Sequence, residues 1–234
     1  MCSISGIING NIKLLKAMVD SQSHRAPDEK GFYQSKNIFI GMGRLKIIDL
    51  KSKNLCPFED NDLVLSYNGE IYNYLELRKE LKKYNWKFKT SSDIEVLAKS
   101  WKQWGYKMFD RLNGMFAICI YDKKKNIILL ARDIAGEKPL YYSKVGNKFY
   151  FSSEAKAIKK VCNNTVVKNK NINALQHCVE DTLWKNVYQL MPGHYLTLNL
   201  KNLRTNIFEY WNFKKIKIDL KEPEEQLHEL LKKS

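Results

Sequence analysis

The chain has 234 residues, of which 44% are hydrophobic and 12% aromatic, enough for one large packed domain or two small ones. The formal net charge is +15, but the lysines are spread along the whole chain and do not interleave with aromatic residues. This spread predicts a solvated basic surface and no nucleic-acid partner. The absence of an apolar run of about 20 residues predicts no membrane partner. Five cysteines without CxxC spacing or a secretory signal predict a reduced, cytoplasmic protein.

Strand and helix patterns alternate along the first half of the chain. Pro27 and Gly31 predict a loop at 23–31, between the first helix and the second predicted strand. Asn68-Gly69 follows a strand and precedes a helix, so it is predicted to form an exposed corner with an amide side chain and a free backbone N–H. Hydrophobic periodicity and capping residues predict strands at 4–8, 38–45 and 63–67 and helices at 11–21, 74–84 and 92–104, with Asn73 as an N-cap and a capping box from Ser92 to Glu95.

The second half of the chain is richer in strands. The run 115–122 is apolar on both faces, which predicts a strand buried on two sides. Two packed antiparallel sheets covered by helices, an α+β fold, explain such strands. The patterns predict further strands at 127–131, 140–143, 148–152, 194–199 and 208–211, and helices at 106–112, 154–161 and 171–181. Beyond a charged, weakly patterned stretch at 212–221, Pro223 starts a short helix with Leu227, Leu230 and Leu231 on one side.

Cys2 is a candidate nucleophile because of its position. If Met1 is removed, Cys2 carries both a thiol, with a pKa of about 8.5, and a free α-amine, with a pKa of about 7.7–8.0. That amine is partly neutral near pH 7 and can take the thiol proton, so one residue would hold a nucleophile and its base. On this feature alone, the simple start of a strand is the better explanation of a cysteine at position 2.

Several motifs occur together with Cys2. They are Arg44-Leu45-Lys46-Ile47-Ile48-Asp49, Asn68-Gly69-Glu70-Ile71-Tyr72-Asn73, Ser91-Ser92-Asp93, Leu112-Asn113-Gly114-Met115-Phe116-Ala117 and Arg132-Asp133 with Lys138-Pro139-Leu140-Tyr141-Tyr142. Over residues 2–211 the chain closely resembles the N-terminal glutaminase domain of glutamine-hydrolysing asparagine synthetase, a class II, Ntn-type glutamine amidotransferase. The resemblance implies a four-layer αββα sandwich of two antiparallel sheets flanked by helices, and hydrolysis of L-glutamine to glutamate and ammonia.

The resemblance also implies a role for each matching residue. Cys2 attacks the side-chain amide carbon of glutamine, and the Asn68 amide and the Gly69 N–H form the oxyanion hole, since an amide needs fixed donors for its developing charge. Arg44 pairs with the α-carboxylate, which a planar guanidinium can grip through two hydrogen bonds, and Asp93 pairs with the α-ammonium. The remaining substrate-binding residues are Leu45, Lys46, Ile47, Ile48 and Glu70.

Members of the family continue into an ATP-dependent synthetase domain, whose pyrophosphate-binding loop has no counterpart in this sequence. We therefore expect residues 1–211 to form a type 2 glutamine amidotransferase domain, and residues 212–234 to be a linker and the first helix of a synthetase domain outside this sequence. ATP and Mg would belong to that domain, and no cofactor or metal is expected in this one. The expected partners are L-glutamine, a synthetase domain in cis or in trans, and a second copy in a homodimer.

Three alternatives stay open at this point. The domain could serve a related amidotransferase with a different acceptor, such as a sugar or another carboxylate, or act as a stand-alone glutaminase. It could instead sense glutamine without turning it over, which retention of Met1 would favour because the α-amine would be blocked. A role in nucleic-acid binding predicts steeply salt-dependent affinity.

Overall fold

Two six-stranded sheets form the centre of the molecule in a computed structural model that describes residues 2–52, 55–162, 180–212 and 223–233. The strands are β1 (Ser3–Ile8), β2 (Glu29–Ser35), β3 (Ile38–Arg44), β4 (Phe58–Asp60), β5 (Leu63–Ile71), β6 (Gly114–Asp122), β7 (Ile127–Arg132), β8 (Tyr141–Val145), β9 (Lys148–Ser152), β10 (Tyr188–Gln189), β11 (His194–Asn199) and β12 (Thr205–Glu209). The helices are α1 (Ile12–Asp20), α2 (Tyr74–Lys83), α3 (Asp93–Trp104), α4 (Ala155–Val161) and α5 (Pro223–Lys233), with 3₁₀ helices at Ser23–Arg25 and Gly105–Asp110.

The strands pair antiparallel throughout. The first sheet has the order β10-β8-β9-β1-β3-β2, and the second has the order β12-β11-β7-β6-β5-β4. Helices α1 and α4 pack on the first sheet, whereas α3 packs on β5 of the second sheet and α2 packs on α3. None of the helices in the described ranges is long and apolar enough to cross a membrane.

Alternating side chains of the strands fill three apolar clusters. Ile4 and Ile8 of β1 join a cluster with Val64 and Ala117 of the second sheet, whereas Ile7 points to the opposite face. That opposite face packs with residues of α1 and α4, and a third cluster lies between the second sheet and α2 and α3. The layers are therefore helix, sheet, sheet and helix, as expected when both faces of a sheet are apolar.

The segment Asn68-Gly69 differs from its predicted conformation. It does not form an exposed corner, because β5 continues to Ile71 and pairs with β6 along its whole length, up to Ile71 opposite Gly114. Asn68 is consequently only 1% exposed. The prediction was wrong because an Asn-Gly pair favours a turn locally, whereas pairing with a long neighbouring strand keeps this one extended.

The predicted capping box at the start of α3 forms only in part. Ser92 is the N-cap, and its Oγ accepts a hydrogen bond from the Ile94 N–H at 3.4 Å. The Glu95 carboxylate does not return to the Ser92 N–H, which instead donates to Thr90 Oγ1. Glu95 accepts from the N–H groups of Lys89 and Thr90. Glu95 therefore holds the chain that enters α3 in place.

Asn73 occupies the predicted N-cap position of α2, but its side chain makes no capping bond. Its amide nitrogen donates to the Arg111 carbonyl at 2.9 Å, and its amide oxygen accepts from the Asn113 N–H at 3.0 Å. The side chain thus ties the end of β5 to the segment that enters β6.

Several element bounds also differ from the sequence-based predictions. The predicted loop at 23–31 contains a 3₁₀ helix and the start of β2, an edge strand whose alternating exposure leaves only a weak apolar pattern. The predicted helix at 106–112 is a 3₁₀ helix, and the last strand begins at Thr205 instead of Phe208. Residues 171–179 of a further predicted helix lie outside the described residues.

Candidate active site

The candidate site lies where β1 begins and β3 ends. These strands are antiparallel neighbours with Ser3 opposite Gly43. The start of β1 and the end of β3 therefore lie side by side, which brings Cys2 and Arg44 together at one end of the two strands. The second sheet and α3 close the site from the other side. The resulting cavity has a volume of about 140 Å³ and is lined by Cys2, Met42, Arg44, Leu45, Ile47, Ile48, Leu55, Tyr67, Asn68, Gly69, Glu70, Ser92, Asp93, Ile94, Met115 and Lys138.

The Cys2 thiol lies at the wall of this cavity and is partly exposed. Its Sγ accepts a hydrogen bond from the Leu45 N–H at 3.4 Å, and the Cys2 carbonyl accepts one from Arg25 Nε at 3.3 Å. Burial raises the pKa of the Cys2 thiol, and the Leu45 N–H and the Arg44 charge only partly oppose this effect. The thiol is therefore protonated near neutral pH, and its use as a nucleophile requires a base.

Asn68 presents an unused hydrogen-bond donor. Its Nδ2 is buried and has no hydrogen-bond partner among the described residues, although the residue lines the cavity. A buried polar group without a partner is rare in folded proteins, because burial removes it from water without a replacement bond. The Asn68 amide is thus placed to donate to an oxygen of a molecule bound in the cavity.

The Gly69 N–H points toward the same side of β5 as that of Ile71. The opposite residue on β6, Phe116, uses both of its backbone groups on Asp133, which makes Gly69 and Phe116 a non-hydrogen-bonded pair. The Ile71 N–H, two residues on, donates to Asp93 Oδ2 at 3.3 Å, away from β6. Because strand N–H groups alternate in direction, the Gly69 N–H also points away from β6.

Glycine is required at position 69 by the close approach of β6. A Cβ on Gly69 would lie 2.0 Å from the Met115 carbonyl oxygen and 2.7 Å from the Phe116 Cα. Both of these contacts are to backbone atoms, which cannot rotate away as the end of a side chain can. A larger residue would push β5 from β6 at the very point where Asn68 and Gly69 line the cavity.

Arg44 is a buried cation with spare donor capacity. The residue is 6% exposed, and its Nη2 donates to the carbonyls of Ile48 at 2.8 Å and Asp49 at 2.9 Å. Its Nη1 lies 3.6 Å from Glu29 Oε2 and has no hydrogen-bond partner among the residues that the structure describes. The guanidinium is therefore fixed by one nitrogen and can donate to an anion from the other.

The loop after β3 is held in place by Asp49. The Asp49 carboxylate accepts hydrogen bonds from the Ser52 N–H, the Ser52 Oγ and the Ser91 N–H, at 2.7–2.9 Å. Burial acts to raise the pKa of Asp49, but these hydrogen bonds outweigh it and hold the pKa at about 2. The loop carbonyls that orient Arg44 are thus anchored to the segment that precedes α3.

Asp93 is a buried carboxylate at the first position of α3. It is 5% exposed and lines the cavity. Burial raises its pKa, whereas hydrogen bonds to its side chain from the Tyr67 hydroxyl and the Ile71 N–H lower it. The helix N-terminus favours a negative charge here. The Asp93 carboxyl group, on α3, can therefore provide a negative charge at the cavity wall, while the Arg44 cation lies on β3.

The cavity brings together nine of the ten residues that the sequence analysis assigned to the site. Lys46 lies outside the lining. Its backbone N–H donates to Asp28 Oδ2 at 2.8 Å, and its side chain is exposed, with Nζ 3.6 Å from Glu29 Oε2. The other assigned residues that line the cavity with Cys2, Arg44 and Asp93 are Leu45, Ile47, Ile48, Asn68, Gly69 and Glu70.

Other lining residues were not predicted. Tyr67 directly precedes Asn68, but its contact with Asp93 depends on the packing of α3 against β5. Met115 of β6 is brought to the cavity because it pairs with Glu70 of β5. Lys138 is brought there by its loop, in which the Lys138 N–H donates to Asp133 Oδ2. These contacts join segments far apart in the chain, so the strand register would be needed to find them.

The comparison with protein families identifies this chain. A model described as a glutamine amidotransferase domain matches residues 1–211. The chain belongs to the glutamine amidotransferase domain family. It is 35% identical to a putative glutamine-hydrolysing asparagine synthetase of Methanocaldococcus jannaschii, over 90% of this chain and 46% of that protein. It is 32% identical to asparagine synthetase 3 of Bacillus subtilis, over 91% of this chain and 37% of that protein. The amidotransferase chain thus spans less than half the length of these curated relatives.

Solved structures confirm the predicted fold of the amidotransferase domain. Glutamine phosphoribosylpyrophosphate amidotransferase from B. subtilis aligns with a TM-score of 0.66 at 19% identity, over 90% of this chain and 49% of that one. The predicted four-layer αββα sandwich of Ntn type is therefore correct. Within the described residues, no group of three or more His, Cys, Asp or Glu side chains is arranged to hold a metal ion.

Proposed function

We propose that this chain hydrolyses L-glutamine to glutamate and ammonia, with Cys2 as the nucleophile. One observation carries the proposal: the cavity that holds the Cys2 thiol is also lined by Asn68 and Arg44, and one buried nitrogen of each, Nδ2 and Nη1, makes no hydrogen bond to the described residues. A site with a nucleophile, an oxyanion donor, a cation and an anion matches the groups of free glutamine. The family and the names of the curated relatives support the same substrate.

Substrate binding in this proposal uses opposite charges at two fixed points. Arg44 Nη1 donates to the α-carboxylate of glutamine, while the Ile48 and Asp49 carbonyls hold the other nitrogen. Asp93 accepts from the α-ammonium. A glutamine inside a protein chain lacks both charges, so this arrangement selects the free amino acid and leaves its side-chain amide at Cys2.

Attack by sulfur begins with loss of the thiol proton. The amine freed by removal of Met1, with an ordinary pKa of about 7.7–8.0, accepts that proton, since burial keeps the Cys2 thiol protonated. Sulfur bonds to the amide carbon of glutamine, and the amide carbonyl oxygen becomes an oxyanion. This oxyanion accepts hydrogen bonds from Asn68 Nδ2 and the Gly69 N–H. Because β5 is fixed by its pairing with β6, both donors are in place before charge develops.

The tetrahedral intermediate then collapses to a thioester. The ammonium of Cys2 gives its proton to the leaving nitrogen, which departs as ammonia. A water molecule attacks the thioester carbon, and the same amine takes one proton from that water. The carbon–sulfur bond then breaks, the ammonium of Cys2 returns the proton to sulfur, and glutamate leaves with the water oxygen in its new carboxylate, whose remaining proton passes to the released ammonia or to solvent. The reaction consumes one glutamine and one water and restores the thiol.

The acceptor of the ammonia is a further part of the proposal. Relatives named asparagine synthetases support delivery to an ATP-dependent synthetase domain that makes asparagine from aspartate, in cis or in trans. Residues 1–211 would then be the amidotransferase domain, and residues 212–234 a linker and the first helix of the next. ATP and Mg would be used by that synthetase domain, and glutamine hydrolysis here would need no cofactor. A cytoplasmic location would suit a reaction that depends on a reduced Cys2.

The test combines intact mass with ammonia release. We expect the purified chain to lack Met1, and to release ammonia from L-glutamine without ATP. Cys2→Ala should abolish this release, because no other described thiol lines the cavity. Cys162→Ala, at the end of α4, is the matched control and should keep full activity. Unchanged release by Cys2→Ala would rule out the proposal, and glutamine binding without release by the wild type would favour a sensing role.

A further inference from the structure

Tyr67 and Asp93 form a buried pair at the cavity wall. Tyr67 is 4% exposed, and its hydroxyl donates to Asp93 Oδ2 at 2.9 Å. The two residues come from β5 and α3, which pack against each other. Both line the cavity that contains Cys2, so the hydrogen bond is part of the site and not only of the surrounding core.

The two oxygens of Asp93 are in different situations. Oδ2 accepts from the Tyr67 hydroxyl and from the Ile71 N–H, at 2.9 and 3.3 Å. Oδ1 receives one longer hydrogen bond, from Ser92 Oγ at 3.4 Å. A carboxylate oxygen can accept two hydrogen bonds, so Oδ1 has capacity for a further donor. The hydroxyl thereby fixes the rotation of the carboxylate and keeps one oxygen for a ligand.

The hydroxyl also supports the charge of a carboxylate that burial disfavours. Taking a carboxylate out of water costs free energy unless donors replace the lost hydration. Tyr67, Ile71 and Ser92 supply such donors at Asp93, and of the two donors to Oδ2 only the tyrosine hydroxyl can be removed by a side-chain substitution. An aromatic ring without the hydroxyl would fill the same space but leave Asp93 with one donor fewer on Oδ2.

We propose that Tyr67 is a positioning residue for recognition of the substrate α-ammonium, which it achieves by holding Asp93 charged and correctly rotated. This inference rests on the proposed glutaminase function and adds a specificity-determining residue to it. The Tyr67 hydroxyl affects substrates that carry an α-ammonium and is neutral toward those that lack it. It acts on binding, because the reacting amide lies at the other end of the substrate.

The experiment compares two substrates in two variants. L-glutamine carries the α-ammonium, and glutaramate, the same molecule without the α-amino group, does not. In Tyr67→Phe, we expect kcat/KM for L-glutamine to fall about tenfold or more, the usual effect of losing a hydrogen bond to a charged group. The loss should lie in KM, with kcat within about twofold, and kcat/KM for glutaramate should change less than twofold.

Tyr142→Phe is the matched control. Tyr142 is also a buried tyrosine whose hydroxyl donates to a carboxylate, that of Glu180, but it belongs to the first sheet and does not line the cavity. It should leave the kinetics of both substrates unchanged. Equal losses for the two substrates in Tyr67→Phe, or no loss for either, would overturn the proposal.

Binding measurements keep this inference separate from the proposed function. Calorimetric titration of Cys2→Ala, and of Cys2→Ala with Tyr67→Phe, measures the affinity for L-glutamine without turnover. If the wild type binds glutamine but releases no ammonia, the glutaminase proposal fails, and the ratio of these two affinities still decides the role of Tyr67. A ratio near one, or no glutamine binding by Cys2→Ala, would refute that role.

Discussion

Asn68→Ala separates catalysis from stability in this chain. Asn68 Nδ2 makes no hydrogen bond in the described structure, so its loss removes no existing bond from the folded protein. In the transition state the same atom is one of two proposed oxyanion donors, and loss of one such donor typically lowers kcat by about 10²–10³, or about 2.7–4 kcal/mol. We expect kcat to fall by this factor while KM changes little. Stopped assays of ammonia release at saturating glutamine measure the effect.

Ser66→Ala is the control for Asn68→Ala, because Ser66 lies two residues away on β5 and shares the same face. Its Oγ donates to the Gly41 carbonyl at 3.1 Å, and it does not line the cavity. Ser66→Ala should lower the free energy of unfolding by about 1 kcal/mol and leave kcat unchanged. Asn68→Ala should lower kcat and leave the free energy of unfolding nearly unchanged. A kcat for Asn68→Ala within threefold of the wild type would refute the assignment of this amide to the oxyanion.

Two further predictions concern the first sheet. Arg44→Lys keeps the charge but loses the planar fork that binds the Ile48 and Asp49 carbonyls, so we expect KM for glutamine to rise roughly tenfold or more in steady-state kinetics; a fall in kcat alone would contradict this. Asp49→Asn should lower the melting temperature at pH 7, because the Ser52 and Ser91 hydrogen bonds favour the charged carboxylate. The folded pKa of about 2 lies below the ordinary value of about 3.9, so this stabilisation is present above pH 4 and lost as pH falls toward 2. Melting temperatures of wild type and variant should therefore converge at low pH, and a difference that does not change with pH would refute this role of the Asp49 carboxylate.

Strongly apolar strands were predictable, because the apolar pattern of their own residues indicates which faces are buried. The run that forms β6 is apolar on both faces, and it lies between the other sheet and the helices. The edge strand β2 alternates between half-buried and exposed residues, so its local pattern is weak. The Asn68-Gly69 pair was mispredicted for the opposite reason: its local preference for a turn is strong, but pairing with Phe116 and Ala117 outweighs it.

The site followed a similar division. The position of Cys2 made it a candidate nucleophile, but its assignment, like those of Arg44 and Asp93, came from a family resemblance carried by short motifs. The Tyr67 contact with Asp93 could not be predicted, because it depends on how α3 packs on β5. The position of Lys46 outside the cavity lining depends on a bond between its backbone and Asp28, 18 residues away.

The division of the proposed catalytic groups between two sheets has a practical consequence. Arg44 lies in the first sheet and Cys2 directly precedes its strand β1, whereas Asn68 lies in the second sheet, and the apolar cluster around Ile4, Val64 and Ala117 holds the two sheets together. If one sheet slides by even an ångström over the other, sulfur and oxyanion donors lose their alignment while every strand stays paired. Turnover thus reports on the relative position of the two sheets. Mild denaturant should abolish ammonia release at concentrations at which circular dichroism still shows the full strand content.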